Sequence, residues 1–327
     1  MAGTVGEAIA RPDLPAGAVR TCRQVPSGPA GRCRPQLLAG SSFVPTTTTA
    51  IAAAVLLAAV LHATWNALAH AIADKLVAVT VLSVAFVVFG AAALPWVGVP
   101  PRASWPYLGA SVCVHVLYNV ALMRSYRLGA FNQVYPLARG MSPWVVAIVA
   151  ALVVGERLGA VGLAGVAVVS VGLGCLVFAR GLPHRDELPA LAAAATTGLL
   201  IATYTVLDGL GVRASEAPFA YAAWLFLLHG GVLVAWAAHR RGPALLADLR
   251  VNWRTGLAAG SCAVVAYGIV LWAQSRGTLA TVAALRETSV IVGAVIGAVV
   301  FREPFGRWRT VATVVVAAGI ALLNLGG

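Results

Sequence analysis

Charge is scarce in this chain. Only 10% of its 327 residues are charged and 60% are apolar, whereas soluble domains average about 25% and 45–50%; a solvated globular surface is therefore excluded. Lysine is nearly missing: Lys75 is the only one among 23 basic residues, a bias that, with abundant Ala, Gly and Val, fits a high-GC bacterial genome. The apolar stretches lack the period-two alternation of barrel strands, which disfavours a β-barrel. The cysteines, Cys22, Cys33, Cys113, Cys175 and Cys262, are odd in number and show neither a disulfide framework nor metal-ligand spacing. No Walker A loop, G-x-S-x-G turn or H-E-x-x-H helix occurs. ATP coupling and enzymatic chemistry thus have no carrier in the sequence, and no cofactor is expected. The net charge of +12 comes from arginines placed singly at segment ends, where they snorkel to lipid headgroups. Without a basic patch and interleaved aromatics, nucleic acid is not an expected partner.

What the chain does have is long apolar runs. A spanning helix needs about 20 mostly apolar residues, and ten such stretches occur, at about 48–69, 76–98, 104–123, 131–154, 159–179, 188–208, 217–238, 254–273, 279–301 and 308–325. The short linkers leave no room for a soluble domain. Residues 1–47, rich in Pro, Gly, Arg and Thr and without periodic apolar pattern, read as a disordered tail. Loop charges leave orientation to that tail, because its Arg11, Arg20, Arg23, Arg32 and Arg34 would have to outweigh twelve basic residues on the opposite side. Small-residue pairs, Gly256/Gly260 and Gly293/Gly297, are read as helix packing; a homodimer is left open.

The runs are also a duplication. Arg139 in VYPLARGMSPWVVAIVAALVVGER recurs 147 positions later as Arg286 in VAALRETSVIVGAVIGAVVFREP, and Glu156 matches Glu303 and Gly172 matches Gly319 at the same offset. Ala63-Thr64-Trp65 matches Ala202-Thr203-Tyr204 at 139, and Tyr118 and Arg127 match Tyr267 and Arg276 at 149. The expected fold is an all-α membrane protein of ten transmembrane helices in two five-helix repeats, residues 48–180 and 188–327. Because five is odd, each helix and its copy run in opposite directions, so the repeats are inverted. Secondary transporters with this construction bind substrate between the repeats.

Polar residues inside the spans are the candidate site, since an ionisable side chain at the bilayer centre costs about 2.5–3.5 kcal/mol unless it faces a cavity or partner. Arg139 and Arg286 are expected to approach the midplane from opposite sides and hold a carboxylate, phosphate or phosphonate; neutralisation of each within the protein is the alternative. Glu287 has no acidic counterpart, Gly140 standing in its place, and is read either as a titrating group or as a fixed ion-pair partner. His62, Trp65 and Asn66, with His70, form one polar stripe on the first span; His115, Tyr118 and Asn119 form another on the third. Thr203, Tyr204, Thr205 and Asp208 on the sixth span, with Tyr267 and Gln274 on the eighth, are the candidates from the second half. Pro136 and Pro143 bracket Arg139 and are expected to kink its helix. Glu156 and Glu303 are expected at helix ends.

These segments resemble the EamA-type branch of the drug/metabolite transporter superfamily. LHATWNAL, VYPLARGMSPW and ATYTVLDGLGVR, with Gly155-Glu156-Arg157 and Arg302-Glu303-Pro304 after the fourth and ninth spans, carry the resemblance over residues 48–327. It implies cytoplasmic termini, inverted repeats and a central cavity lined from both halves. The expected function is secondary transport of a small metabolite, anionic or zwitterionic, by alternating access, with export the preferred direction, in the bacterial inner or plasma membrane. A lipid-linked flippase, a non-transporting membrane subunit and, further back, an intramembrane enzyme are the rival readings.

Overall fold

The structure is a computed structural model that describes residues 47–129, 131–175, 184–299 and 307–325. The tail and Glu303 lie outside them. The described residues form helices: α1 Thr47–His70, α2 Lys75–Val97, α3 Trp105–Leu128, α4 Phe131–Val149, α5 Ala160–Cys175, α6 Leu188–Ser215, α7 Pro218–Arg241, α8 Ala244–Gln274, α9 Leu279–Arg286, α10 Thr288–Val299 and α11 Arg307–Leu325.

Helix ends follow local chemistry. Asp74 caps α2, its Oδ1 accepting from the amides of Leu76 at 2.9 Å and Val77 at 3.3 Å. Pro106, Pro189 and Pro218 stand in the first turns of α3, α6 and α7, where no amide is needed. Within α4 the chain runs through Pro136 and Pro143 without ending; the irregularity comes later, in the π-turn Ala150–Val154.

Among the described residues, α1, α2, α3, α4, α6, α7 and α8 are long and apolar enough to cross a membrane, and α5 and Thr310–Leu323 of α11 are shorter apolar helices. Large apolar side chains stand exposed on most of these helices, among them Leu57, Val88, Leu117, Val171, Leu199, Val232, Val265 and Val314. So much uncovered apolar surface is stable only against lipid, and the chain is a multi-pass membrane protein.

The stretch expected at 279–301 is interrupted within its described residues: α9 ends at Arg286, Glu287 closes it, and α10 starts at Thr288. The Glu287 amide reaches back to the carbonyl of Ala284 at 3.1 Å, while its own carbonyl accepts from Val290 at 2.9 Å. A charged pair buried at this level is held by this break in the helix, which hydropathy does not register.

Packing joins helices far apart in the chain. Helix α2 lies against α7, α3 against α6, α1 against α8 and α5 against α11; α4 contacts α5, α6 and α9, and α1 also contacts α9 and α10. Val55, Ala266, Val270, Val282 and Leu285 form one apolar cluster, and Leu108, Val212, Tyr221, Leu225 and Leu271 another. Gly256 and Gly260 pack α8 onto Val81 and Ala85 of α2, as expected; Gly293 has nothing within 4 Å of an added Cβ.

Candidate functional site

Two polar groups are buried among the helices. The first is centred on Asp208 of α6, which is fully buried. Its Oδ1 accepts from Ser111 Oγ at 2.5 Å and Tyr221 Oη at 3.0 Å, and its Oδ2 accepts from Tyr267 Oη. His115 Nε2 stands 3.9 Å from Oδ2, and its Nδ1 lies 3.1 Å from Ser111 Oγ. The donors come from α3, α7 and α8, so one carboxylate ties four helices. Three hydroxyl donors suit an ionised, acceptor-only carboxylate.

Aromatic rings surround this centre. His115 stacks on Tyr204, with ring centroids 4.1 Å apart; Tyr118 meets Tyr204 edge-on at 5.4 Å, and His229 lies 5.0 Å from His115. Asn119 Nδ2 approaches His229 Nε2 at 3.3 Å and donates to the His115 carbonyl at 2.8 Å.

The second group is ionic. Arg139 Nε of α4 lies 2.9 Å from Glu287 Oε2, and its Nη2 donates to Ser289 Oγ at 2.9 Å. Arg286 is only 3% exposed, yet among the described residues its Nε and Nη2 have no hydrogen-bond partner. The sequence contains the reason. Arg139 faces an acid at 287, whereas the position related to Glu287 by the repeat is Gly140. A Cβ there would stand 3.0 Å from Leu173 Cβ and 3.4 Å from the backbone of Ser170 and Gly174, so α5 lies close against this position and a side chain there would have to push it aside.

Trp65 donates to His62 Nδ1 at 3.3 Å and Asn66 to the His62 carbonyl at 2.8 Å, so these two are engaged locally. Thr203 is exposed and bonds back to Leu199, away from the Asp208 centre. Gln274 is buried and donates to the Thr205 carbonyl at 3.3 Å.

Sequence reasoning missed Ser111, Tyr221, His229 and Ser289. Ser111 sits one turn before His115 on the stripe already recognised and could have been read from spacing. The others meet their partners on other helices, so only packing brings them in. Among the described residues no group of His, Cys, Asp and Glu could hold a metal.

Comparison with known proteins bears on the family and the fold. Residues 188–325 match the EamA-like transporter family, which bears out, over that segment, the resemblance read in the sequence. No curated protein matches. A solved structure titled "Crystal structure of protein" superposes with a TM-score of 0.66 at 18% identity, covering 85% of this chain and 96% of that one; the likeness is one of fold.

Proposed function

We propose, from the premise that residues 188–325 belong to the EamA-like transporter family, that the chain is a secondary transporter moving a small metabolite with an anionic group by alternating access. The observation that carries the substrate reading is Arg286: a guanidinium buried among apolar helices with two donor nitrogens, Nε and Nη2, unpartnered among the described residues. Each unmade hydrogen bond to a buried polar group costs about 1–3 kcal/mol. A carboxylate or phosphate that docks there removes the cost, and a pair of its oxygens can accept side by side from the guanidinium fork. Arg139 is engaged by Glu287 and Ser289, so it steadies the site and Arg286 holds the anion. Glu287, the next residue after Arg286 and paired with Arg139, stands at the α9–α10 break, so an anion held by Arg286 acts on that break.

Inverted repeats and ten crossings form part of this reading. The packing supports it through reciprocity: exchanging α1–α5 for their counterparts turns the α3/α6 contact into α8/α1 and leaves α2/α7 and α5/α11 unchanged. A Cβ on Gly172 would strike Val315 and Val316, and one on Gly319 would strike Val169, contacts that an axis relating 169 to 316 and 172 to 319 interchanges. Export, across the bacterial inner membrane, is the direction we favour.

The test is reconstitution of the purified chain in lipid vesicles and a screen of small carboxylates and phosphates by thermal stabilisation, since a ligand bound only to the folded state raises apparent stability. A hit that stabilises the parent chain but not Arg286→Gln supports the reading. Equal stabilisation of both removes Arg286 from the site.

A further inference from the structure

At one end of the bundle, away from the two buried groups, lies a second ionic arrangement. Glu156 follows the π-turn of α4. Gly155 there adopts φ +75 and the Glu156 amide returns to the Ala150 carbonyl at 3.1 Å, a glycine-dependent helix stop that fixes where the acid points. Glu156 Oε1 lies 2.7 Å from Arg213 Nη2 near the end of α6, and its Oε2 accepts from the Leu279 amide, the first of α9, at 2.8 Å. Arg213 also donates from Nε to the Gln274 carbonyl at 3.0 Å and from Nη2 to the Gly277 carbonyl at 2.7 Å. The ends of α4, α6, α8 and α9 thus meet on one ion pair.

Helix α9 has no side-chain cap of its own: Thr278 stands at its N-cap without a capping hydrogen bond and donates to Thr281 Oγ1 at 2.7 Å. Glu156 supplies what is missing, an acceptor and a negative charge at a helix N-terminus. The other end of α9 is Arg286, followed by Glu287 in its pair with Arg139. Between these ends Val146, Ala150, Leu279 and Ala283 pack in one cluster. Helix α4 therefore grips α9 at both ends, and α9 is a strut of eight residues, about 12 Å at the helical rise.

We propose that Glu156 and Arg213 are positioning residues for Arg286: they lock α9 from the end of the bundle, so that release of this ion pair lets α9 shift and carry Arg286 between its positions in the transport cycle. The proposal rests on Arg286 as the anion anchor, but it can be tested apart from it. The full chain, with its cysteines replaced by serine and Arg286→Cys as reporter, is placed in lipid vesicles and treated with a small charged methanethiosulfonate. Adding Glu156→Ala is expected to change the modification rate at position 286 tenfold or more, Arg213→Ala to reproduce the change, and Glu156→Gln, which keeps an acceptor for Leu279 but not the charge, to fall between. A control reporter, Ser83→Cys in α2, is expected to keep its rate. An unchanged rate at 286, or an equal change at 83, overturns the proposal. If the alanine variants do not purify as monodisperse protein, Arg213→Lys serves instead: it retains a charge for Glu156 but not the fork to both carbonyls, and an unchanged rate at 286 again overturns the proposal. Transport by Arg286→Gln judges the anchor separately, so either idea can fail alone.

Discussion

Arg139 and Arg286 are equivalent in the sequence repeat but occupy different surroundings, and their deletion should differ in kind. Removing Arg139 strands the buried Glu287 carboxylate, an uncompensated charge worth about 3–5 kcal/mol. Arg139→Gln is therefore expected to unfold at clearly lower temperature in detergent, followed by tryptophan fluorescence. Adding Glu287→Leu to Arg139→Met should recover most of that stability without restoring transport. Arg286→Gln removes a cation whose Nε and Nη2 are unpartnered among the described residues, so it is expected to unfold no earlier than the parent while transport falls sharply. The reverse ranking of the two single variants would refute the assignment. Asp208 is a third case. It accepts from Ser111, Tyr221 and Tyr267, and hydrogen bonds to a charged group contribute about 1.5–3 kcal/mol each. Asp208→Asn is expected to lose at least about 2 kcal/mol of stability; a variant as stable as the parent would show that the hydroxyl cage contributes little.

At the scale of the element, the informative helices are the irregular ones. The chain between 279 and 299 is divided at Glu287, so Arg286 is the terminal residue of a short piece and not a point on a rigid span. Helix termini leave backbone groups unsatisfied; here Glu156 satisfies one of them from α4. Helices α5 and α11 are held instead by close backbone approach. A Cβ on Gly319 would stand 2.8 Å from the Val169 amide nitrogen and 3.0 Å from the Gly165 carbonyl, backbone atoms that cannot rotate aside. Gly319→Leu is expected to destabilise by about 1–3 kcal/mol through overpacking. Gly268→Leu, at a position with open space within 4 Å, is expected to be neutral by the same thermal assay.

For the whole molecule, crossing number decides where the ends lie. Seven helices meet the length and hydropathy of a span by themselves. With the two shorter apolar helices and the divided pair α9–α10 also crossing, as proposed above, the total is ten, an even number that places the start of α1 and the end of α11 on one side of the membrane; reporter fusions at these two points are expected to give the same compartment signal. Opposite signals would remove the inverted repeat, because an odd crossing number cannot be divided into two equal halves.

Composition and run length determined that the chain lives in a membrane, since no arrangement of so few charges can clothe it in water. The offset of 147 paired Arg139 with Arg286 before any geometry was known, and polar spacing on the third span pointed to His115 and Asn119. Spacing could not say what each group touches. The Glu287 break was hidden because hydropathy averages over a window, and one charged pair barely lowers it. Tyr221 and Ser289 were hidden because the groups they touch, Asp208 and Arg139, lie on other helices. The contrast between the two arginines was decided by packing: Gly140 is small because α5 lies against it, so the acid that answers Arg139 has no twin to answer Arg286. The link from Glu156 through Arg213 to α9 likewise exists only when four helix ends converge, which no single stretch of sequence encodes.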